Sequence, residues 1–364
     1  MGAAAVSSGT TIERVEAEAL SLPLHTPFVT ALRRATTAES VVVRVTDSDG
    51  RVGLGEAPQN WQVLGSSVAG SVACLEGPLR DAVLGRSSDP VETWPLIDRA
   101  VAGNGAAKAA LDCALHDLTG QGVLTNRREL VGDDQPQATG VALPTVVTLP
   151  VGEPHEIAEA ARARVAEGFR TLKLKVGTDA ATDVARVRAA REGAGPDVEL
   201  RVDANTGWDC FEAVRVIRAL EDAGVGVQLV EQPVGRRDLR GLAHVRRHVD
   251  TPVMADESVF DLEDLVELVR HDAVDLVNIK IAKAGGLTPA LELARIARAH
   301  ELGVSVGCML ESAVGVSAAA TLAAQVDCDV APDLDGAWWL APGAPYAELV
   351  AYADGQVVLG RMGA

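Results

Sequence analysis

From about residue 143 onward the chain repeats one short apolar strand followed by one Ala/Arg/Glu-rich helix, and this repetition restricts it to very few folds. The strand segments are TVVTLP (145–150), TLKLKV (171–176), VELRVD (198–203), VQLVEQ (227–232), PVMADE (252–257), DLVNIK (275–280), GVSVGC (303–308) and a weaker CDVAPDLD (328–335). The polar residues that end successive strands, Lys175, Asp203, Glu231, Asp256 and Lys280, are spaced 28, 28, 25 and 24 residues apart. One strand and one helix per unit at that period mark a parallel (β/α)8-type barrel. A doubly wound sheet is disfavoured, because no Gly-rich phosphate turn follows the first strands.

The first 130 or so residues read differently. TIERVEAEAL alternates as a strand, VVVRVTDSDGRVGLGEA as a hairpin turning at Asp-Ser-Asp-Gly, and helical spacing follows near 67–84, 91–101 and 104–119. This predicts a separate α+β unit with its own small sheet. The expected division is 1–135 for that unit, 136–338 for the barrel and 339–364 for a C-terminal segment returning to the first unit. A chain of 364 residues suits such a pair of domains.

The active site of a barrel lies at the C-terminal ends of its strands, and here those ends are charged. Lys173 and Lys175 are two apart and share a face, with Leu172 and Leu174 on the other. Asp203, Glu231 and Asp256 end the next three strands, with Asn205 and Glu257 nearby as groups that would orient them. Three hard oxygen ligands without histidine or cysteine suit one Mg2+ per subunit and speak against zinc. Composition sharpens the reading of Lys280 opposite. Of 33 basic residues only five are lysines, and four of these fall in TLKLKVG and NIKIAKAGG. A lysine can surrender its proton when its pKa is depressed, which an arginine effectively cannot. Lys175 and Lys280 would thus face each other across the barrel mouth with the metal between them. A substrate carboxylate on the metal would let the adjacent carbon lose a proton to form a stabilised enediolate. One lysine would remove the proton and the other return it, each partly neutral through the metal and the like charge of Lys173.

The KxK pair, VDAN (202–205), VEQP (230–233), ADES (255–258) and NIK (278–280) together resemble the muconate-lactonizing subgroup of the enolase superfamily, across nearly the whole chain. A lysine base working with magnesium is the known pattern of such sites. The resemblance implies an α/β fold, a modified TIM barrel (β/α)7β with an N-terminal α+β capping domain. It implies Asp203, Glu231 and Asp256 as magnesium ligands, Lys175 and Lys280 as the acid/base pair, and Lys173 near the substrate carboxylate.

Within the subgroup, Asp333 and Asp335 of DLD share one face, and two inward carboxylates need a cation such as a peptide α-ammonium. This DxD resembles the dipeptide epimerases. HTPFVTALRRATTAES resembles the specificity loop of L-Ala-D/L-Glu epimerases, with Arg33 in the place that meets the substrate's glutamate side chain and Arg34 beside it. GCMLES (307–312) resembles the segment after strand seven, where Cys308, Met309 and Leu310 would shape the pocket. NWQVLGSS (60–67) departs from the Thr-Gly turn of that pattern. The expectation is a dipeptide epimerase, an isomerase of the Ala-Glu type. The alternatives are an N-succinylamino acid racemase, an o-succinylbenzoate synthase or a muconate cycloisomerase. A non-catalytic binding protein is disfavoured because both lysines and all three carboxylates are present.

The remaining features receive plainer readings. A net charge of −18 argues against nucleic acid and anionic membranes as partners. The scattered Cys74, Cys113, Cys210, Cys308 and Cys328 suit reduced thiols in a cytoplasmic protein. A small-molecule dipeptide is the expected partner and a homo-oligomer the expected assembly. Trp338 and Trp339 read as domain packing, and no histidine falls at a strand end.

Overall fold

Strong alternation over Ile12–Val29 (β1), Arg34–Asp47 (β2) and Val52–Pro58 (β3) builds an antiparallel sheet in the order β1-β2-β3. The β2–β3 turn is set by Asp47, whose carboxylate accepts from the backbone N–H of Asp49 and Arg51, with Gly50 at φ 76°. The computed structural model describes residues 9–30, 33–118 and 141–359. Helices α1 (Val68–Glu76), α2 (Pro78–Val83), α3 (Pro90–Ala100) and α4 (Gly105–Leu118) cover one face of the sheet. The Ala-rich α4 approaches β3 so closely that a Cβ on Gly55 would lie 1.9 Å from the Ala110 carbonyl oxygen. Only glycine fits there. The 135/136 boundary lies outside the described residues.

After β4 (Ala142–Pro144), seven parallel strands form one curled sheet: β5 (Val146–Leu149), β6 (Thr171–Lys175), β7 (Glu199–Asp203), β8 (Val227–Glu231), β9 (Val253–Ala255), β10 (Leu276–Lys280) and β11 (Gly303–Gly307). Helices α5 (Pro154–Ala166), α6 (Ala180–Ala194), α7 (Cys210–Asp222), α8 (Leu239–His248) and α9 (Leu262–Arg270) alternate with them. A single turn, α10 (Ile281–Ala284), follows β10 directly, and α11 (Leu287–Ala299) and α12 (Ala313–Val326) complete the ring. Carboxylates of Asp179, Asp209, Asp238 and Asp261 cap the N-termini of four of these helices, which starts each one sharply after its loop. Parallel pairing sets Lys175 beside Asp203 and Asp203 beside Glu231, so the chemistry-bearing residues share one level of the barrel. One pleat below, Arg201 is buried and donates to Gln228 Oε1 and to the Ala331 carbonyl.

The eighth strand expected at 328–335 does not form. That segment meets β11 through the bridge of Gly307 with Asp333 and a bond from Asp329 N–H to the Val304 carbonyl, and the other side through Val146 N–H to the Pro332 carbonyl. Pro332 lacks an N–H, so a regular ladder is interrupted where the barrel closes. The C-terminal segment meets the capping strand at Leu24–Leu340 and Pro23–Ala341. Its strand β13 (Gln356–Leu359) pairs instead with β4, and β12 (Val350–Ala353) pairs with β13. No helix among the described residues is long and apolar enough to cross a membrane.

Candidate active site

The period-two alternation of β6 turns Lys173 and Lys175 into the barrel, where both are buried. Lys173 Nζ lies 2.6 Å from Asp333 Oδ2, 2.8 Å from Glu231 Oε2 and 3.1 Å from Asp203 Oδ2. Lys175 Nζ is 2.6 Å from Asp203 Oδ2. Across three intervening strands, Lys280 Nζ is 2.8 Å from Asp256 Oδ2. Lys283 sits in α10 with its ammonium 2.5 Å from Asp256 Oδ1. Four of the five lysines therefore meet in one lattice with the strand-end carboxylates.

Lys173 was expected to depress the opposing lysine together with the metal, and its like charge does act in that direction. Burial does push Lys280 down, but Asp256, then Glu231 and Asp333, outweigh burial and Lys173, and its pKa is raised. Lys173 is raised by the same balance, Asp333 foremost against burial. Asp256 is held far below the usual carboxylate range: Lys280, Lys283 and Lys173 overcome its desolvation.

Supporting polar groups fix this geometry. Gln232, in the left-handed region at φ 36°, accepts through Oε1 from the N–H of both Asp256 and Ser258. Asn278 donates to Glu231 Oε1, and Asn205 donates to Glu257 Oε1. Burial and the charges of Asp256 and Asp203 raise Glu257 to about 8. Glu257 Oε2, Asn205 Oδ1 and Asp333 Oδ1 are buried oxygens without a hydrogen-bond donor.

Asp203, Glu231 and Asp256 are oxygen donors on adjacent strands, and the buried oxygens left without donors show room for more positive charge. The residues thus fit a hard divalent cation such as magnesium. As they stand, no three histidine, cysteine or carboxylate groups among the described residues close on one point, and the Lys173 ammonium lies between Asp203 and Glu231.

One cavity of about 610 Å³ opens over this lattice. Lys173, Lys175, Lys280, Asp256, Glu257, Asn205, Asp333 and Asp335 line it, whereas Asp203 and Glu231 lie beneath. Cys308, Met309 and Leu310 form one wall. Asp335 accepts from Thr148 N–H at 2.7 Å and Trp339 Nε1 at 3.1 Å, and burial with Asp333 raises it to about 6. Asp333 already holds a cation, Lys173. The Trp pair packs the units together as expected: Trp339 stacks 5.7 Å from His25 and meets Phe28 edge-on at 5.0 Å. Of the two arginines, half-buried Arg33 lines the cavity, while exposed Arg34 begins β2. The Arg33 guanidinium has no carboxylate partner among the described residues, and burial lowers its pKa.

Sequence reasoning missed Phe28, Thr30, Asn60, Gln62, Val63 and Thr148, all of which line the cavity. Thr148 was accessible by alternation along TVVTLP. The 60–67 stretch had been noticed only as a departure.

The comparisons agree with this geometry. Residues 13–132 match the model of the mandelate racemase / muconate lactonizing enzyme N-terminal domain, and residues 156–362 the enolase C-terminal domain-like model. The L-Ala-D/L-Glu epimerase of Bacillus subtilis is 42% identical over 86% of this chain and 85% of its own length. The solved substrate complex of the Bacillus subtilis epimerase superposes with a TM-score of 0.89 at 39% identity, covering 96% of both chains. A dipeptide epimerase from Enterococcus faecalis, solved with Mg and the dipeptide L-Leu-L-Tyr, gives 0.87 at 36% identity over 96% of this chain and 98% of that one. With both domain models matched and the lysine–carboxylate lattice at the barrel mouth, the chain belongs to the mandelate racemase / muconate lactonizing enzyme family.

Proposed function

We propose that the chain is a magnesium-dependent dipeptide epimerase, moving the α-proton of the C-terminal residue of a dipeptide, with the Ala-Glu type favoured. The observation that carries this reading is the placement of Lys175 and Lys280. They line one cavity from strands separated by exactly the three that end in Asp203, Glu231 and the Asp256 turn. A proton can leave one face of a carbon held between them and return to the other.

Asp203, Glu231 and Asp256 would hold the ion, which when bound stabilises negative charge on the substrate carboxylate. Lys173 adds a fixed ammonium on the same side. Lys175 and Lys280 exchange the roles of base and acid according to the direction of epimerisation. Asp333 and Asp335 offer a doubly acidic end to the peptide ammonium, and the unpaired Arg33 offers a cation to an acidic side chain. The relatives named for dipeptide epimerisation support this choice over a racemase of N-acylated amino acids or a cycloisomerase.

The test is incubation of a dipeptide library with enzyme and magnesium in deuterated water, read by mass spectrometry for label at the α-carbon. Ala-Glu should gain deuterium and its N-acetylated form should not. Equal turnover of the acetylated form would replace the reading with an N-acylamino acid racemase.

A further inference from the structure

The capping-domain side of the cavity is built from two segments, the end of β1 with Arg33 and the 59–68 turn. That turn is held closed at several points. Asn60 N–H donates to Ser66 Oγ, which itself donates to the Pro58 carbonyl, and Val63 N–H donates to Asn60 Oδ1. Gln59 Oε1 accepts from Val68 N–H at the helix entrance. The turn is therefore a fixed wall, and the direction of each side chain on it has meaning. Trp61 points to solvent at 61% exposure, whereas Gln62 and Val63 reach the cavity.

Two amides of this wall line the cavity, and only one is available to a ligand. The buried Asn60 amide is committed, its Nδ2 to Met309 Sδ at 3.7 Å and its Oδ1 to Val63 N–H. The Gln62 amide has no hydrogen-bond partner among the described residues and stands exposed at the cavity mouth.

Resting on the dipeptide reading, we propose that Gln62 is a specificity-determining residue that reads the polar end of the side chain on the epimerised residue. The layout of the cavity supports this assignment on the dipeptide reading. The ammonium goes to Asp333 and Asp335, and the reacting carbon lies between Lys175 and Lys280. The side chain on that carbon is then left with the capping wall, where Arg33 supplies charge and Gln62 supplies both a donor and an acceptor. An amide and a guanidinium together suit a glutamate or glutamine side chain, and the amide is the group that can serve either one.

The test compares kcat/KM for Ala-Glu, Ala-Gln and Ala-Ala in wild type, Gln62→Leu and Gln62→Glu, with thermal melts to confirm an unchanged fold. Gln62→Leu should lower Ala-Glu and Ala-Gln about fivefold, as for one partly exposed hydrogen bond, and leave Ala-Ala within twofold. Gln62→Glu should shift the Ala-Glu to Ala-Gln ratio about tenfold toward Ala-Gln, because a new carboxylate repels the glutamate but accepts from the amide. If wild type turns over the dipeptides and both variants change all three equally or not at all, Gln62 has no such role. If wild type turns over no dipeptide, the dipeptide reading fails and this assignment with it.

Discussion

An ammonium on a flexible stem can approach a carboxylate from any side, and the site gathers four lysines around its buried carboxylates. Lys175 and Lys280 each approach one strand-end carboxylate, Asp203 and Asp256, while Lys173 and Lys283 contact the same carboxylates from other sides. Replacing Lys175 or Lys280 by Ala should lower epimerisation at least about a hundredfold, since in the proposed scheme each removes one proton-transfer group. One of the two variants should still wash deuterium into a single stereoisomer, because the remaining lysine serves one face. Near wild-type epimerisation by either would refute the two-lysine scheme. The carboxylates are tested separately. Asp203→Asn, Glu231→Gln and Asp256→Asn should each lose the thermal stabilisation that magnesium gives wild type. An undiminished magnesium-dependent melting shift in all three would remove them as ligands. At this scale the sequence was informative because a polar residue ending a buried strand has few other uses. It was silent on Gln232 and Asn278, whose value lies in orienting a neighbour and leaves no pattern.

Elements were legible where periodicity was strong and lost where it was broken by backbone chemistry. All seven ladder strands lie inside the segments read from the sequence, and the lengths differ only at their ends. The eighth failed for a local reason: Pro332 and the single bridge at Asp333 leave a closing segment that is extended but unladdered. Its carboxylates are positioned by side-chain and backbone donors instead, Lys173 for Asp333 and Thr148 with Trp339 for Asp335. The β3–α4 contact shows the opposite case, in which a composition detail carries a tight packing requirement. Gly53 and Gly55 face the backbone of α4 with no space for a Cβ. Gly55→Ala should therefore destabilise the capping domain by about 3 kcal/mol, the upper range for overpacking, because the obstruction is backbone and cannot rotate away. Urea unfolding measures it, and a change below about 0.5 kcal/mol would show that α4 shifts freely.

The two domains are joined through buried polar groups, which makes the stability of the whole molecule depend on pH. Glu56 of β3 reaches the barrel, accepting from Ser312 N–H and Gly315 N–H at the start of α12. Glu311 lies fully buried beside it and accepts from Met309 N–H; burial and then the Glu56 charge raise its pKa from 4.5 to about 8. On the other side of the junction, burial raises Asp112 from 3.8 to about 7 despite the donors of Thr288, and lowers His116 from 6.5 to about 4. A carboxyl raised in the folded state binds its proton more tightly there than in the unfolded chain. Folding stability therefore falls as pH rises between the two values, from 4.5 to about 8 for Glu311. His116 acts in reverse, gaining stability between about 4 and 6.5, so the two kinds of group oppose each other below 6.5. Above that value the raised carboxyls act alone. Wild type should lose stability from pH 6.5 to 8.5, and Glu311→Gln should lose less, by an amount on the order of 1–2 kcal/mol from 1.36 kcal/mol per pKa unit. The glutamine keeps an acceptor for Met309 N–H while removing the titration. Melting curves at closely spaced pH values give the comparison, and parallel pH profiles for wild type and variant would show that the junction tolerates a charged Glu311.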